Sequence, residues 1–181
     1  MIRIIGGKFR SRKLLQPSPT ITRPTKDRVR EAIFSAISTN VMDAMVLDLF
    51  AGSGAYGLEA ISRGAKFAYL NDNHPEVKKI IEANVSSLKI DQLKITQLDA
   101  FDFLEFARVN NLQFDIVFID PPYAFNHQQN LFKILFKSNL FRPGSIVVYE
   151  NESHLHEFNE DKLMVKTYNY GRTFVHIGWN K

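Results

Sequence analysis

The sequence contains no cysteine, which excludes disulfides, thiolate zinc sites and a cysteine nucleophile. No apolar run approaches the roughly 18 residues of a membrane helix. The first ten residues, MIRIIGGKFR, lack the hydrophobic stretch of a secretory leader, so a cytoplasmic protein is expected. Internal repeats and low-complexity tracts are also missing. Histidine is sparse, five in the chain. The pair His154 and His156 stands in a polar stretch without cysteine, so no metal site is expected.

What remains is a globular composition. Of 181 residues, 45% are apolar and 15 are Phe, enough for one domain with a substantial core. The formal net charge of +4 is unevenly spread. Residues 1–30 hold nine Lys/Arg against the single acid Asp27, whereas the rest carry 14 basic and 18 acidic residues. A basic arm on a mildly acidic body points to a polyanion, and nucleic acid is the ordinary one; a merely solvating terminus is the alternative.

Two short strands around a Gly-Gly turn are expected at 2–6 and 12–16, then an extended connector, QPSPTITRP. A helix begins near Thr25, with Val29, Ile33, Phe34 and Ile37 on one face. From residue 45 strands and helices alternate. MVLDLF leads into a glycine loop and a helix from about Ala55 that stops before Gly64. FAYLND leads into a helix opened by Pro75. KITQL ends at Asp99, before a short helix through Phe101, Phe103 and Phe106. FDIVFID is apolar enough to be buried on both faces. A helix near 128–138, a turn at 142–145 and the strand SIVVYE follow, then an antiparallel hairpin of LMVKTY and TFVHIGW. The expected fold is α/β: a doubly wound, mostly parallel, seven-stranded Rossmann-like sheet with an antiparallel C-terminal hairpin and a small N-terminal hairpin/helix extension. Residues 1–40 would form that extension and residues 41–181 the main domain.

In such sheets ligands sit at the carboxyl ends of the strands. Asp48, Asp72, Asp99 and Asp120 stand there. One acid could be a helix cap, and for Asp99 that reading is as good as any other; four together favour a site. Residues 48–57, DLFAGSGAYG, hold Gly52, Gly54 and Gly57 in the G-x-G-x-x-G spacing of dinucleotide loops, and Asp72 follows Gly52 by 20 residues, as a ribose-binding acid should. Several nucleotide-like ligands share that spacing. The end of the fourth strand, Asp120-Pro121-Pro122-Tyr123, separates them. Two prolines remove two N–H donors and leave carbonyls that only accept. With a carboxylate and an aromatic face beside them, they suit a planar group bearing an NH₂. A hydride-transfer site has no use for that set, and a plain strand-to-loop turn is the bland alternative.

DLFAGSGAYGLEAISRGA together with FIDPPY resembles the class I S-adenosylmethionine-dependent methyltransferases that modify amino groups. RIIGGKFRSRKL and RPTKDRVREAIF resemble one family among them, the RsmD-like methyltransferases of guanine N2 in 16S ribosomal RNA. The resemblance implies S-adenosylmethionine as cofactor, held by Asp48, Phe50, Ala51, Gly52 and Gly54. It implies Asp72 on the ribose hydroxyls, Asp99 and Ala100 at the adenine, and Asp120 and Pro121 beside the reacting amine, with Pro122 in the same loop and Tyr123 stacking on a flipped base. The family usually has Glu at the ribose position; here the run is Leu70-Asn71-Asp72-Asn73, and since Asp is a carbon shorter, either the loop sits closer or Asn71 or Asn73 contributes. Arg10, Arg12, Lys13, Arg23, Lys26 and Arg28 would meet RNA phosphates, with Arg28 and Thr25 alternatively closing over the pocket. Phe125 and His127 are candidates for a base clamp or a lid, and Phe101, Phe103 and Phe106 for core. A monomer acting on ribosomal RNA or the assembling small subunit is expected. Methylation of adenine N6 or of a glutamine amide, and a non-catalytic RNA-binding scaffold, stay open.

Overall fold

The computed structural model describes residues 2–18, 27–122, 125–152 and 163–180. Strands β1 (Ile2–Arg3) and β2 (Lys13–Leu14) form an antiparallel pair, and helices α1 (Asp27–Ala36) and α2 (Ser38–Val41) follow. The alternating body then runs β3 (Met45–Asp48), α3 (Ala55–Ser62), β4 (Phe67–Asn71), α4 (Pro75–Leu88), β5 (Leu93–Thr96), α5 (Ala100–Val109), β6 (Phe114–Ile119) and α6 (Gln128–Lys137). Strands β7 (Phe141–Asn151), β8 (Leu163–Tyr170) and β9 (Thr173–Asn180) close it. One seven-stranded sheet has the order β5-β4-β3-β6-β7-β9-β8, in which β7–β9 and β8–β9 are the antiparallel pairs. This is the doubly wound architecture the alternation predicts.

Strand alternation sends successive residues to opposite faces, and each face has its own core. Val46, Phe118 and Val148 pack on one side with Phe34 of α1, Leu58 of α3 and Ile81 of α4. Leu47, Val117 and Val147 pack on the other with Phe103 of α5 and Leu131 and Leu135 of α6. The small hairpin shares the first core, through Ile2, Ile4 and Leu14.

Three elements differ from expectation. The four-residue helix α2 carries no capping side chain and no long apolar period. Helix α5 runs on to Val109. The segment 142–145 lies inside β7: Phe141 already pairs with Phe114, and the register shifts before Ile116 pairs with Ile146. A bulge therefore absorbs the Pro-Gly pair without ending the ladder. Among the described residues, no helix is long and apolar enough to cross a membrane.

Candidate active site

The site sits where β3, β4, β5 and β6 end. After Asp48 the chain turns through residues 49–54 into α3. Gly54 is the residue before the helix and has φ of 78°, a left-handed conformation that glycine adopts without steric cost. Gly57 answers a different need: a Cβ there would lie 2.6 Å from Leu70 Cδ2. The third glycine thus lets α3 press against β4. Its N–H donates to Asp48 Oδ2 at 3.1 Å, so Asp48, 1% exposed, lies beneath the loop and fixes the start of the helix.

The three neighbouring loops are tied together. The Ala51 N–H donates to the Asn71 carbonyl at 2.8 Å, and the Asp72 N–H to the Thr96 carbonyl at 3.2 Å. Asn71, 1% exposed, donates its amide to the carbonyls of Leu49 and Leu98 and accepts from Thr96 Oγ1 and the Leu98 N–H. An amide side chain has two donors and two acceptor positions, and all four are occupied. Asn71 is therefore a staple between the loops, with no hydrogen-bonding position left for a ribose, contrary to the expectation that it contributes there. Asn73 is exposed. Asp72 is the oriented group. Its Oδ2 accepts from the Gly52 N–H and its Oδ1 from the His74 N–H, both at 3.0 Å. A carboxylate has about four lone-pair sites, so about two remain for a ligand.

Asp99 caps α5, accepting from the Phe101 N–H at 2.9 Å, while Ala100 behind it is buried. The cap leaves Asp99 exposed at the strand end. Phe101 is only half-buried and stands 6.3 Å from the Phe125 ring, which in turn meets Phe50 edge-on at 5.2 Å. His127 touches both Phe101 and Phe125. Of the three phenylalanines expected in the core, Phe103 is fully buried, Phe106 half-buried, and Phe101 belongs to this aromatic group at the strand ends. Asp120 and Pro121 follow β6 and are half-buried; Pro122 is exposed, and its carbonyl accepts from the Phe125 N–H at 2.9 Å. Tyr123 lies outside the described residues, as do Arg23, Thr25, Lys26, His154 and His156.

Electrostatically the site is acidic. Burial, followed by the charges of Asp120 and Asp72, pushes the Asp48 carboxyl up to about 7, against the lowering effect of the Gly57 N–H. Asp120 and Asp72 thus repel the Asp48 carboxylate, and a ligand with a cationic centre relieves that repulsion. S-adenosylmethionine has a sulfonium and a ribose diol, so the residues present fit it. Among the described residues, no group of three His, Asp or Glu side chains could hold a metal.

Behind the site, a second set of polar residues fastens the basic hairpin to α3 and α4. Glu59, fully buried, accepts from the Ile5 and Gly6 N–H groups at 2.7 and 2.8 Å and from Arg63 Nε at 2.7 Å. Ser62 accepts from the Phe9 N–H and donates to the Gly6 carbonyl. Asn84 holds both backbone groups of Leu15 and also donates to the Ser53 carbonyl at 3.0 Å, joining the hairpin to the glycine loop. Arg10, Arg12, Lys13 and Arg28 are exposed, with Arg12 also reaching the Ser87 carbonyl. Sequence reasoning missed Glu59, Ser62 and Asn84. The one available signal was a charged residue, Glu59, in the otherwise apolar helix AYGLEAIS.

The chain is similar to ribosomal RNA small subunit methyltransferase D of Haemophilus influenzae, 35% identical over 153 residues that cover 83% of this chain and 79% of that protein. The corresponding protein of Escherichia coli K12 is 36% identical over 151 residues, 83% of this chain and 75% of its own. Among solved structures, the candidate methyltransferase YhhF of Escherichia coli superposes with a TM-score of 0.88 at 30% identity, covering 99% of this chain and 98% of that one. More distantly, the fold is that of a candidate methyltransferase, SMU.776, complexed with SAH: TM-score 0.70 and 17% identity over 84% of this chain and 48% of that one. These likenesses bear out the expected methyltransferase family and fold. Residues 2–179 match the family described as conserved hypothetical protein 95, and the chain belongs to that family, which includes the small-subunit methyltransferase D proteins.

Proposed function

We propose that this protein transfers a methyl group from S-adenosylmethionine to the exocyclic N2 amine of a guanine in small-subunit (16S) ribosomal RNA. The observation that carries the reading is the position of Asp120-Pro121. They follow directly on β6, the strand next to the glycine-loop strand, with Asp48 of β3 in register with Phe118 of β6. The names of the relatives support ribosomal RNA as substrate.

When bound, S-adenosylmethionine supplies an electrophilic methyl group. The protein's part is to make a poor nucleophile react. The lone pair of an exocyclic amine is delocalised into the base. If the Asp120 carboxylate and the Pro121 carbonyl accept the two amine hydrogens, they favour a pyramidal nitrogen and stabilise the positive charge that grows on it. Holding the amine in line contributes by proximity. In this reading Phe50, Ala51, Gly52 and Gly54 line the cofactor, Asp72 binds the ribose hydroxyls, and Asp99 and Ala100 border the adenine. Asp48 acts from below, through Gly57 and its charge. Pro122 stiffens the loop, Tyr123 stacks on the base, and the basic residues of the arm meet phosphates. The protein works as a monomer in the cytoplasm.

The test is transfer of labelled methyl to unmodified small subunits, naked 16S RNA, DNA and protein extract, with the product nucleoside or amino acid identified by mass spectrometry. N2-methylguanosine from the ribosomal substrates is expected. N6-methyladenine or methylglutamine would overturn the substrate, and no transfer at all would return the protein to an RNA-binding scaffold.

Two further results are expected. A cationic ligand favours ionised Asp48, whose carboxyl stands near 7. Its binding should therefore release a proton at lower pH and strengthen as pH rises through that value. S-adenosylhomocysteine, with a neutral sulfur, lacks this term. The preference for the sulfonium form should grow several-fold, up to about tenfold, between about pH 6 and 8. Calorimetry with both ligands checks it, and a pH-independent ratio counts against the role of Asp48. Secondly, neutralising Arg10, Arg12 and Lys13 together should weaken RNA binding and flatten the dependence of log K on log salt by about two to three units of slope. An unchanged slope removes the arm from the interface.

A further inference from the structure

Asp120 has a neighbour that the reaction has not yet used. Strands β6 and β7 run parallel with Phe118 opposite Val148 and Ile119 opposite Tyr149. One step further, the register sets Asp120 beside Glu150, on strands about 4.8 Å apart. Phe118 and Val148 belong to the core on the α1/α3 face, and alternation turns Asp120 and Glu150 toward that same face. Glu150 is only 5% exposed, although it is an acid at the open end of a sheet. Its charge acts on Arg30 of α1, whose side chain is wholly buried.

The same face carries buried polar atoms that make no hydrogen bond among the described residues. Tyr56 stacks on Phe118, two residues before Asp120, with ring centres 4.6 Å apart. Its hydroxyl is buried and makes no hydrogen bond among the described residues. Arg30 Nε and Nη1 are in the same condition. The end of β6 and β7 therefore offers two adjacent carboxylates on a face whose buried Tyr56 hydroxyl and Arg30 Nη1 make no hydrogen bond among the described residues. Buried polar groups without partners are rare in folded proteins. At the mouth of a reaction site they suit a ligand edge that presents donors and an acceptor together.

Guanine has such an edge. Its N2 amine and N1–H are donors separated by a single carbon, and O6 accepts. Adenine presents one amine and a lone pair at N1, and a glutamine amide has no second donor beside its nitrogen. A carboxylate beside N1 attracts an N–H and repels a lone pair. We propose that Glu150 is a specificity-determining residue that accepts the N1–H of the target guanine while Asp120 holds the N2 amine. This rests on the reading of Asp120 as the amine-holding residue.

The experiment compares wild type and Glu150→Gln on small-subunit RNA carrying either guanine or 2-aminopurine at the position the wild type methylates. The analogue keeps the reacting N2 amine but has a lone pair at N1 and no O6. Wild type should prefer guanine by at least about 100-fold in kcat/KM, because a site built to hydrogen-bond a group rejects the analogue lacking it. Glu150→Gln can turn an N–H toward a bare N1. It should lose roughly tenfold or more on guanine, lose little on the analogue, and shrink the preference to below about tenfold. A merely structural role would lower both substrates by one factor and leave the ratio unchanged, which overturns the proposal. Wild type using both bases equally overturns it without any variant, so a misfolded Glu150→Gln does not shield it. Unchanged S-adenosylhomocysteine affinity in the variant confirms a folded protein. If wild type methylates no guanine N2 in any RNA, the underlying reading fails first and visibly.

Discussion

Asp120→Ala is expected to lower kcat for methyl transfer by on the order of 10³-fold, about the loss seen when one preorganised charge-stabilising group is removed from an active site. Affinity for S-adenosylhomocysteine should change by no more than about twofold, because the glycine loop and the Asp72 carboxylate are held by contacts that do not involve Asp120. Asp120 follows the last residue of β6 and is half-buried, so truncating it opens no large cavity and the fold should survive. Asp120→Asn keeps one acceptor oxygen but loses the charge that balances a developing ammonium; it should fall between wild type and Ala. Removing the charge also takes one of the two carboxylates that push Asp48 up. The pH at which the cofactor preference changes should accordingly move down in both variants. Single-turnover kinetics with saturating RNA separates these effects. Full methyl transfer by Asp120→Ala would remove the residue from the chemistry.

Sequence and structure agree most closely where local geometry dictates residue type. A left-handed turn needs glycine at 54, and helix α3 can approach β4 only if residue 57 has no side chain. Such demands leave a spaced mark in the chain. The strand-end acids are equally visible, because an apolar run that stops at Asp is conspicuous. Residues whose partners are backbone groups far along the chain leave no such mark. Glu59 serves amides 53 and 54 positions away, and Asn84 serves Leu15 69 positions away. Nothing in the local pattern of either helix announces these bonds. Asn71 shows the same limit from the other side. Its place next to Asp72 invites a ligand role, and only the four occupied hydrogen-bond positions reveal a staple. The alternating strand pattern places Glu150 on a face, but its proximity to Asp120 depends on the β6–β7 register, which no single strand encodes.

Glu59→Ala should be the most destabilising single change, costing about 3–5 kcal/mol. The side chain is fully buried and answers several needs at once. It accepts the Ile5 and Gly6 N–H groups and Arg63 Nε, and it lies 3.9 Å from Arg30 Nε. Burial pulls Arg30 below its ordinary value, and Glu59 is the largest opposing charge. Its loss leaves a buried guanidinium with Asp27 as the remaining close ion pair, and leaves two backbone donors without their acceptor. A chain of this length loses about 2–4 °C of Tm per kcal/mol, so a drop on the order of 10 °C is expected in calorimetry. The hairpin should also loosen. RNA affinity should then fall by more than S-adenosylhomocysteine affinity, because Arg10, Arg12 and Lys13 ride on the hairpin. A second variant tells the ion pair from the anchor. Glu59→Gln keeps an acceptor for Ile5 or Gly6 but gives up the charge opposite Arg30. If the anchor dominates, Gln retains RNA binding and most of the stability; if the ion pair dominates, Gln is as damaging as Ala in Tm. An Ala variant within about 2 °C of wild type, less than about 1 kcal/mol, would mean that the hairpin is held by its apolar contacts alone.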